Sequence, residues 1–239
     1  MKGKILIIVL TILTIFPVIA QKEGDVIINE IGNGGTKKAT YHGGDYVELL
    51  VLKPEGVKLA GWYLTDLSNP KGTAKETEGS IKFSDEEGSV FNSVIPKGTY
   101  ILICIGTPDE EYGNAMQNEK TDLKGDNKVV VFTETSENHI EKSSGKISLT
   151  GKDNLALVSA WDKNSAVDIF TWGGATGWTG CEITEVPEEA LMNGEIIYFV
   201  PENNFFANNT LAQFWVSTSD ADDSTPGSVN KTVDDSSLR

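Results

Sequence analysis

Short runs rich in Val, Ile, Leu, Tyr, Phe and Trp recur along this chain, and each is closed by a cluster of Gly, Asn, Asp, Ser or Pro. They fall at 25–31, 45–52, 58–66, 79–83, 99–106, 128–133, 146–150, 154–160, 166–172, 195–200 and 213–217. Branched and aromatic side chains suit a pleated, half-buried surface, and the intervening residues suit turns, so the pattern reads as strands. No segment sustains an apolar stripe at the helical period; only 110–118 and 184–194 offer a turn or two of helix. The expectation is an all-β sandwich from about 24 to 230, with 231–239 a flexible tail.

Two of the runs carry more detail. In 45–52, Val47, Leu49 and Val51 share one face and Tyr46, Glu48, Leu50 and Leu52 the other, which predicts a strand buried in the middle of a sheet. "LAGWYLTD" (59–66) sets Trp62 and Leu64 on one face, and Leu59 joins them if Gly61 marks a bulge. Trp62 is then a core anchor, its buried ring contributing a few kcal/mol at ~25 cal/mol per Å². "SAWDKNSAVDIF" (159–170) predicts a hairpin turning at Asp162, Lys163 and Asn164. The longer polar stretches 67–80, 107–127, 134–145 and 173–194 read as loops inserted on a compact core.

The N-terminus has a different character. Lys2 and Lys4 precede the apolar run 5–16, and Val18 and Ala20 stand where a signal peptidase needs small residues. Residues 1–20 are therefore expected to be a cleaved signal peptide, too short in its apolar part for a spanning anchor of about 20 residues. The mature protein is expected to be secreted or periplasmic, without membrane insertion. The formal net charge is −15, and loss of the two lysines makes it more acidic still. Such a chain repels phosphate backbones, so nucleic acid is excluded as a partner. Export permits a disulfide between Cys104 and Cys181, which would add about 4–5 kcal/mol in the chain-entropy model. Free, Cys104 within "YILICIG" would serve as a small hydrophobe.

Several blocks in one order resemble the lamin tail domain. "VIINEI" (26–31), "DYVELLVL" (45–52), "VKLAGWYLTD" (57–66) and "IPKGTYILI" (95–103) are similar to the opening strands of that family and the turns between them. "DNLALVSAWDKNSAVDIFTWG" (153–173) resembles its Asp-containing hairpin, and "STPGSVN" (224–230) its Thr-Pro-Gly ending. The resemblance implies an immunoglobulin-like β-sandwich with enlarged loops. It implies no ligand, because fold and function separate easily. The segment 173–212 departs furthest from the family and is where a private function would reside.

Catalytic patterns are missing from the sequence: there is no G-x-S-x-G, H-E-x-x-H, C-x-x-C or phosphate-binding glycine loop. His42 and His139 are the imidazoles available to a cryptic hydrolase. A calcium-stabilised structural role is the alternative, with Glu30, Glu48 and Asp66 as oxygen ligands from neighbouring strands. "SDADDST" (219–225) does not qualify as a calcium loop, since Thr225 stands where the EF-hand needs Gly. The N-x-[ST] triplets 208–210 and 230–232 are too common to build on. The primary expectation is a non-catalytic binding module for a protein or glycan partner, with no cofactor required. Trp178, in the glycine-rich stretch 173–180, is its expected ligand platform and Trp172 its neighbour; in the competing reading Trp172 and Trp215 cap the core and Trp178 covers a gap.

Overall fold

The computed structural model describes residues 24–34, 44–72, 78–108, 118–123, 127–192, 194–202, 206, 209–219, 225–228 and 230. The expected signal peptide, the tail 231–239, His42 and nearly all of the 110–118 turn lie outside them. The described strands are β1 (Val26–Asn33), β2 (Tyr46–Val51), β3 (Tyr63–Thr65), β4 (Gly79–Phe83), β5 (Tyr100–Cys104) and β6 (Lys128–Phe132). They continue with β7 (Ile140–Gly145), β8 (Asp153–Val158), β9 (Ala166–Trp172), β10 (Ile183–Val186), β11 (Glu195–Phe199) and β12 (Trp215–Thr218).

These form two six-stranded sheets packed as a β-sandwich, ordered β12-β11-β1-β2-β5-β6 and β10-β9-β8-β3-β4-β7. The main apolar core lies between them. Ile31, Val47, Leu49 and Ile101 from one sheet meet Leu64, Phe83, Leu155 and Phe170 from the other. β2 sits between β1 and β5 with every residue buried, which is why its sequence is apolar on both faces. Trp62 is buried in the same core. It stands just before β3, and Gly61 is a turn residue rather than a strand bulge. Trp62 N–H donates to Leu59 O at 2.9 Å, and Gly61, at φ +81°, occupies the third position of that turn, where a positive φ favours glycine.

Two strand placements expected from the sequence are corrected. The strand placed at 146–150 forms earlier, as β7, inside a stretch read as a loop. Its residues 141–145 are largely exposed: an edge strand needs a backbone ladder on one side and polar side chains on the other, so it carries no apolar signature. Ile147 and Leu149 follow it into the core without pairing. Residues 183–186, read as loop leading into helix, form β10, and the helical signal shrinks to a 3₁₀ turn at Glu188–Leu191. β5–β6 and β9–β10 pair in parallel. A parallel neighbour can begin only after the chain has returned along the sheet, which accounts for the length of the connections after β5 and β9.

The disulfide is also corrected. Cys104 is buried with Leu102, Phe132 and Ile196 on the outer face of the first sheet, whereas Cys181 packs by Ala166 and Trp178 on the outer face of the second. The core stands between them, and the two form no disulfide with each other. Burial pushes the Cys104 thiol above its ordinary range, making it inert. Both cysteines should therefore react with Ellman's reagent once the protein is denatured without reductant, and dithiothreitol should leave Tm unchanged.

Candidate functional site

Trp172 and Trp178 are the two largest fully buried side chains among the described residues, and neither presents a face to solvent. Trp172 alternates inward with Phe170 and donates its Nε1–H to Thr150 O at 2.6 Å. Trp215, also buried, packs on Phe170 at 4.3 Å between ring centroids. Trp178 lies against Ala156, Val158 and Ile169 on the outer face of the second sheet, with its Nε1–H bonded to Leu67 O at 2.7 Å. The platform expected at Trp172 and Trp178 is thus replaced by structural roles. Trp178 instead supports a ring that is partly open: Trp161, which it meets edge-on at 5.3 Å.

Trp161 forms one wall of a cleft of about 510 Å³ lined by Asn69, Pro70, Lys71, Asp162, Lys163 and Gly177. Its size falls within the range of small-ligand sites. Three loops build it, and each is tied to another. The 174–181 segment holds the 67–72 loop through Gly177 N–H to Ser68 O at 2.6 Å and the Trp178 bond to Leu67. It holds the hairpin turn through Thr179 Oγ1, which donates to Lys163 O at 3.0 Å, and through Ala166 N–H to Thr179 O at 3.1 Å. Trp161 Nε1–H closes the third side on Pro70 O at 3.2 Å. Tyr63 lies 5.1 Å from the Trp161 ring, beneath it on β3. The indole is therefore fixed by its Nε1–H bond and by its contacts with Tyr63 and Trp178, with part of its surface left to the cleft.

Within this frame Asn69 and Asp162 use one side-chain oxygen each to bond the backbone two residues on, Lys71 N–H and Asn164 N–H, both at 2.9 Å. These local turns orient both side chains at the rim. The hairpin expected over 159–170 sets Trp161 directly before its turn and gives it no role of its own. The missed signal is a large aromatic set directly before Asp-Lys-Asn: strand alternation has ended there, so core packing no longer demands the ring.

The three acids expected to share a cation are divided. Glu30 and Glu48 are opposite one another on β1 and β2, whereas Asp66 follows β3 in the other sheet. Among the described residues, no three His, Cys, Asp or Glu side chains are grouped to hold an ion. Glu30 and Glu48 instead lie buried on the outer face of the first sheet, within a polar cluster. A bulge at Ile28/Glu30 sets Asn29 and Glu30 against the single residue Glu48. Asn29 Nδ2 donates to Glu48 Oε1 at 2.7 Å, the Tyr46 hydroxyl donates to Glu30, and Gly227 N–H donates to Glu48 Oε2 at 2.5 Å. Tyr46 reaches Glu30 because its cross-strand partner is Gly32; a Cβ there would stand 2.2 Å from the Tyr46 ring. Asn230 Nδ2 fastens the same C-terminal segment to Phe199 O at 2.8 Å. Burial, followed by the charge of Glu30, raises the Glu48 carboxyl well above its ordinary range.

Asp66 is also structural. Its two oxygens accept Gly79 N–H at 2.5 Å and Ser148 N–H at 2.8 Å, tying the start of β4 to the segment after β7. Burial lifts it to about 7, against those two donors and with Asp153 adding to the rise. His139 is a poor base. Its Nδ1 already accepts Val90 N–H at 3.1 Å, its Nε2 stands 4.0 Å from Glu119, and burial lowers its pKa. The nearby Ser136 hydroxyl donates to Glu119 and not to the imidazole, so the pair lacks the nucleophile-to-base bond of an activated serine. No protein-family model, curated protein or solved structure matches this chain.

Proposed function

We propose that the protein is an exported, non-catalytic glycan-binding module of the lamin-tail, immunoglobulin-like kind, released by cleavage of residues 1–20. The observation that carries this reading is the cleft in which Trp161 is held by bonded loops on a β-sandwich. Loops on a rigid scaffold are where recognition concentrates, and a site already organised loses little entropy on binding. The C–H face of a pyranose is apolar and carries slight positive charge; the face of an indole is apolar and negative, and so complements it. Asn69 and Asp162 stand at the rim to exchange hydrogen bonds with ring hydroxyls.

Binding to a panel of immobilised oligosaccharides tests the reading. Wild type is expected to retain at least one class, and Trp161→Ala to weaken that binding by at least tenfold, or more than about 1.4 kcal/mol. Trp161→Phe, which keeps a ring over Tyr63 and Trp178, should retain part of the affinity and controls for folding. Unchanged binding in Trp161→Ala, with a wild-type melting profile, rules out the cleft as the ligand site.

A further inference from the structure

Lys71 and Lys163 line the Trp161 cleft from two different loops, and both are exposed. Among the described residues neither ammonium has an ion-pair or hydrogen-bond partner, although acids outnumber bases 35 to 20 in the chain. Three other lysines are paired: Lys53 bonds Asp25 at 3.0 Å, Lys82 lies 3.3 Å from both Asp85 and Glu141, and Lys142 pairs with Glu134. Among the described lining residues the one carboxylate, Asp162, is turned to Asn164 N–H through one oxygen. The two ammoniums therefore outnumber the carboxylates among the described lining residues, beside the aromatic wall of Trp161.

Resting on the glycan reading above, we propose that the cleft selects an anionic pyranoside, a sugar bearing a ring-edge carboxylate or sulfate. The sugar's C–H face lies on Trp161, and its anionic group projects from the ring edge between Lys71 and Lys163. Asn69 and the second oxygen of Asp162 take up hydroxyls. Lysine suits this task because it supplies a compact, mobile point charge with three donors and imposes no planar geometry. The overall negative charge of the protein does not forbid an anionic ligand. At physiological salt the screening length is about 8 Å, so an anion in the cleft experiences the two lysines beside it far more than distant acids.

The test uses the mature full-length protein and three probe sets: uronate oligosaccharides, sulfated oligosaccharides, and the neutral counterparts of each made by carboxyl reduction or desulfation. Wild type is expected to bind an anionic set and to lose roughly tenfold in affinity for its neutral counterpart, the scale of one hydrogen bond to a charged group. Lys71→Ala and Lys163→Ala should each cost a comparable factor on the anionic probe and little on the neutral one. Lys→Arg at either position should preserve binding. Both side chains are exposed, so Tm serves as the control that the variants fold. Preference for uronate over sulfate, or the reverse, identifies which anion the cleft takes. Equal affinity for neutral and anionic probes, or lysine variants that bind as wild type does, overturns the anionic selectivity and leaves the Trp161 site standing. Failure of wild type to bind any probe set removes both.

Discussion

Asp168→Ala is expected to lower the unfolding free energy by about 3–5 kcal/mol, a large share of the 5–15 kcal/mol typical of a domain. The reason lies in how β1 crosses the sandwich. Its bulge interrupts the ladder between Ile28 and Glu30. Asp168, alternating inward with Phe170 and Trp172 on β9, reaches from the opposite sheet to accept Ile28 N–H at 2.6 Å. Its other oxygen accepts Asn209 Nδ2 at 3.1 Å. Asn209 O in turn accepts Thr184 Oγ1 at 2.9 Å and Trp215 Nε1 at 2.7 Å, so one carboxylate organises contacts among β1, β9, β10 and β12. Alanine would leave two buried donors without an acceptor, each costing about 1–3 kcal/mol, and would open a cavity beside them. Asp168→Asn should cost less, since its amide oxygen can take Ile28 N–H while a flipped Asn209 amide accepts from its nitrogen. Urea unfolding distinguishes the outcomes: the midpoint should fall steeply for alanine and modestly for asparagine, at unchanged m. Equal, small shifts for both would show that Ile28 N–H has another acceptor.

The roles of Asp168 and Glu48 mark where sequence reasoning ended. Strand identity was legible because burial on both faces writes itself into composition, as in β2 and β5. The hairpin of β8 and β9 was legible because Asp162, Lys163 and Asn164 are turn formers. Strands with one exposed face and an edge position, β7 and β10, left too little apolar signal. The cross-strand adjacency of Glu30 and Glu48 follows from their placement in two sequential strands. Their burial does not, because the cover over the outer face comes from residues 225–230, far along the chain. Trp178 illustrates the same limit. Its glycine-rich surroundings suggested an exposed loop, and its burial depends on a carbonyl at Leu67 and on Trp161. Trp161 was passed over because a hairpin explained its neighbours completely. Sequence periodicity reports which face a side chain takes, and it is silent about which loop later lies across that face.

Buried acids also give the protein an inverted pH profile, with Tm expected to be higher near pH 5 than near pH 8. Burial raises Glu48 well above its ordinary 4.5, Asp66 from 3.8 to about 7 and Asp153 from 3.8 to about 6. Each folded-state value lies above that of the unfolded chain, so the folded protein binds more protons across the interval, and stability falls as pH rises through it. The contribution is complete below about pH 4 and is lost through pH 6 for Asp153 and through pH 7 for Asp66; for Glu48 it is lost as pH rises through its raised value. At Glu48 burial acts first, and a like charge lies directly opposite, where two buried carboxylates cannot both ionise cheaply. Protonation of Glu48 relieves this while leaving Asn29 and Gly227 their acceptor. Glu48→Gln carries no charge at any pH; its amide oxygen keeps Gly227 N–H, and a flipped Asn29 amide turns its oxygen to the new NH2. It should flatten the Tm profile between pH 5 and 8 and raise Tm above wild type at pH 8, by several degrees for each 1–2 kcal/mol gained. Glu48→Ala should instead destabilise at every pH, because Asn29 Nδ2 and Gly227 N–H then lose their partner and the C-terminal segment loses its hold on the sheet. General repulsion among surface acids acts in the same direction in wild type, and the glutamine variant separates the two effects: it removes one charge of many but the whole of the buried pair. A wild-type Tm that rises from pH 5 to 8, or a glutamine variant whose profile parallels wild type, would show that both glutamates are ionised in the folded protein.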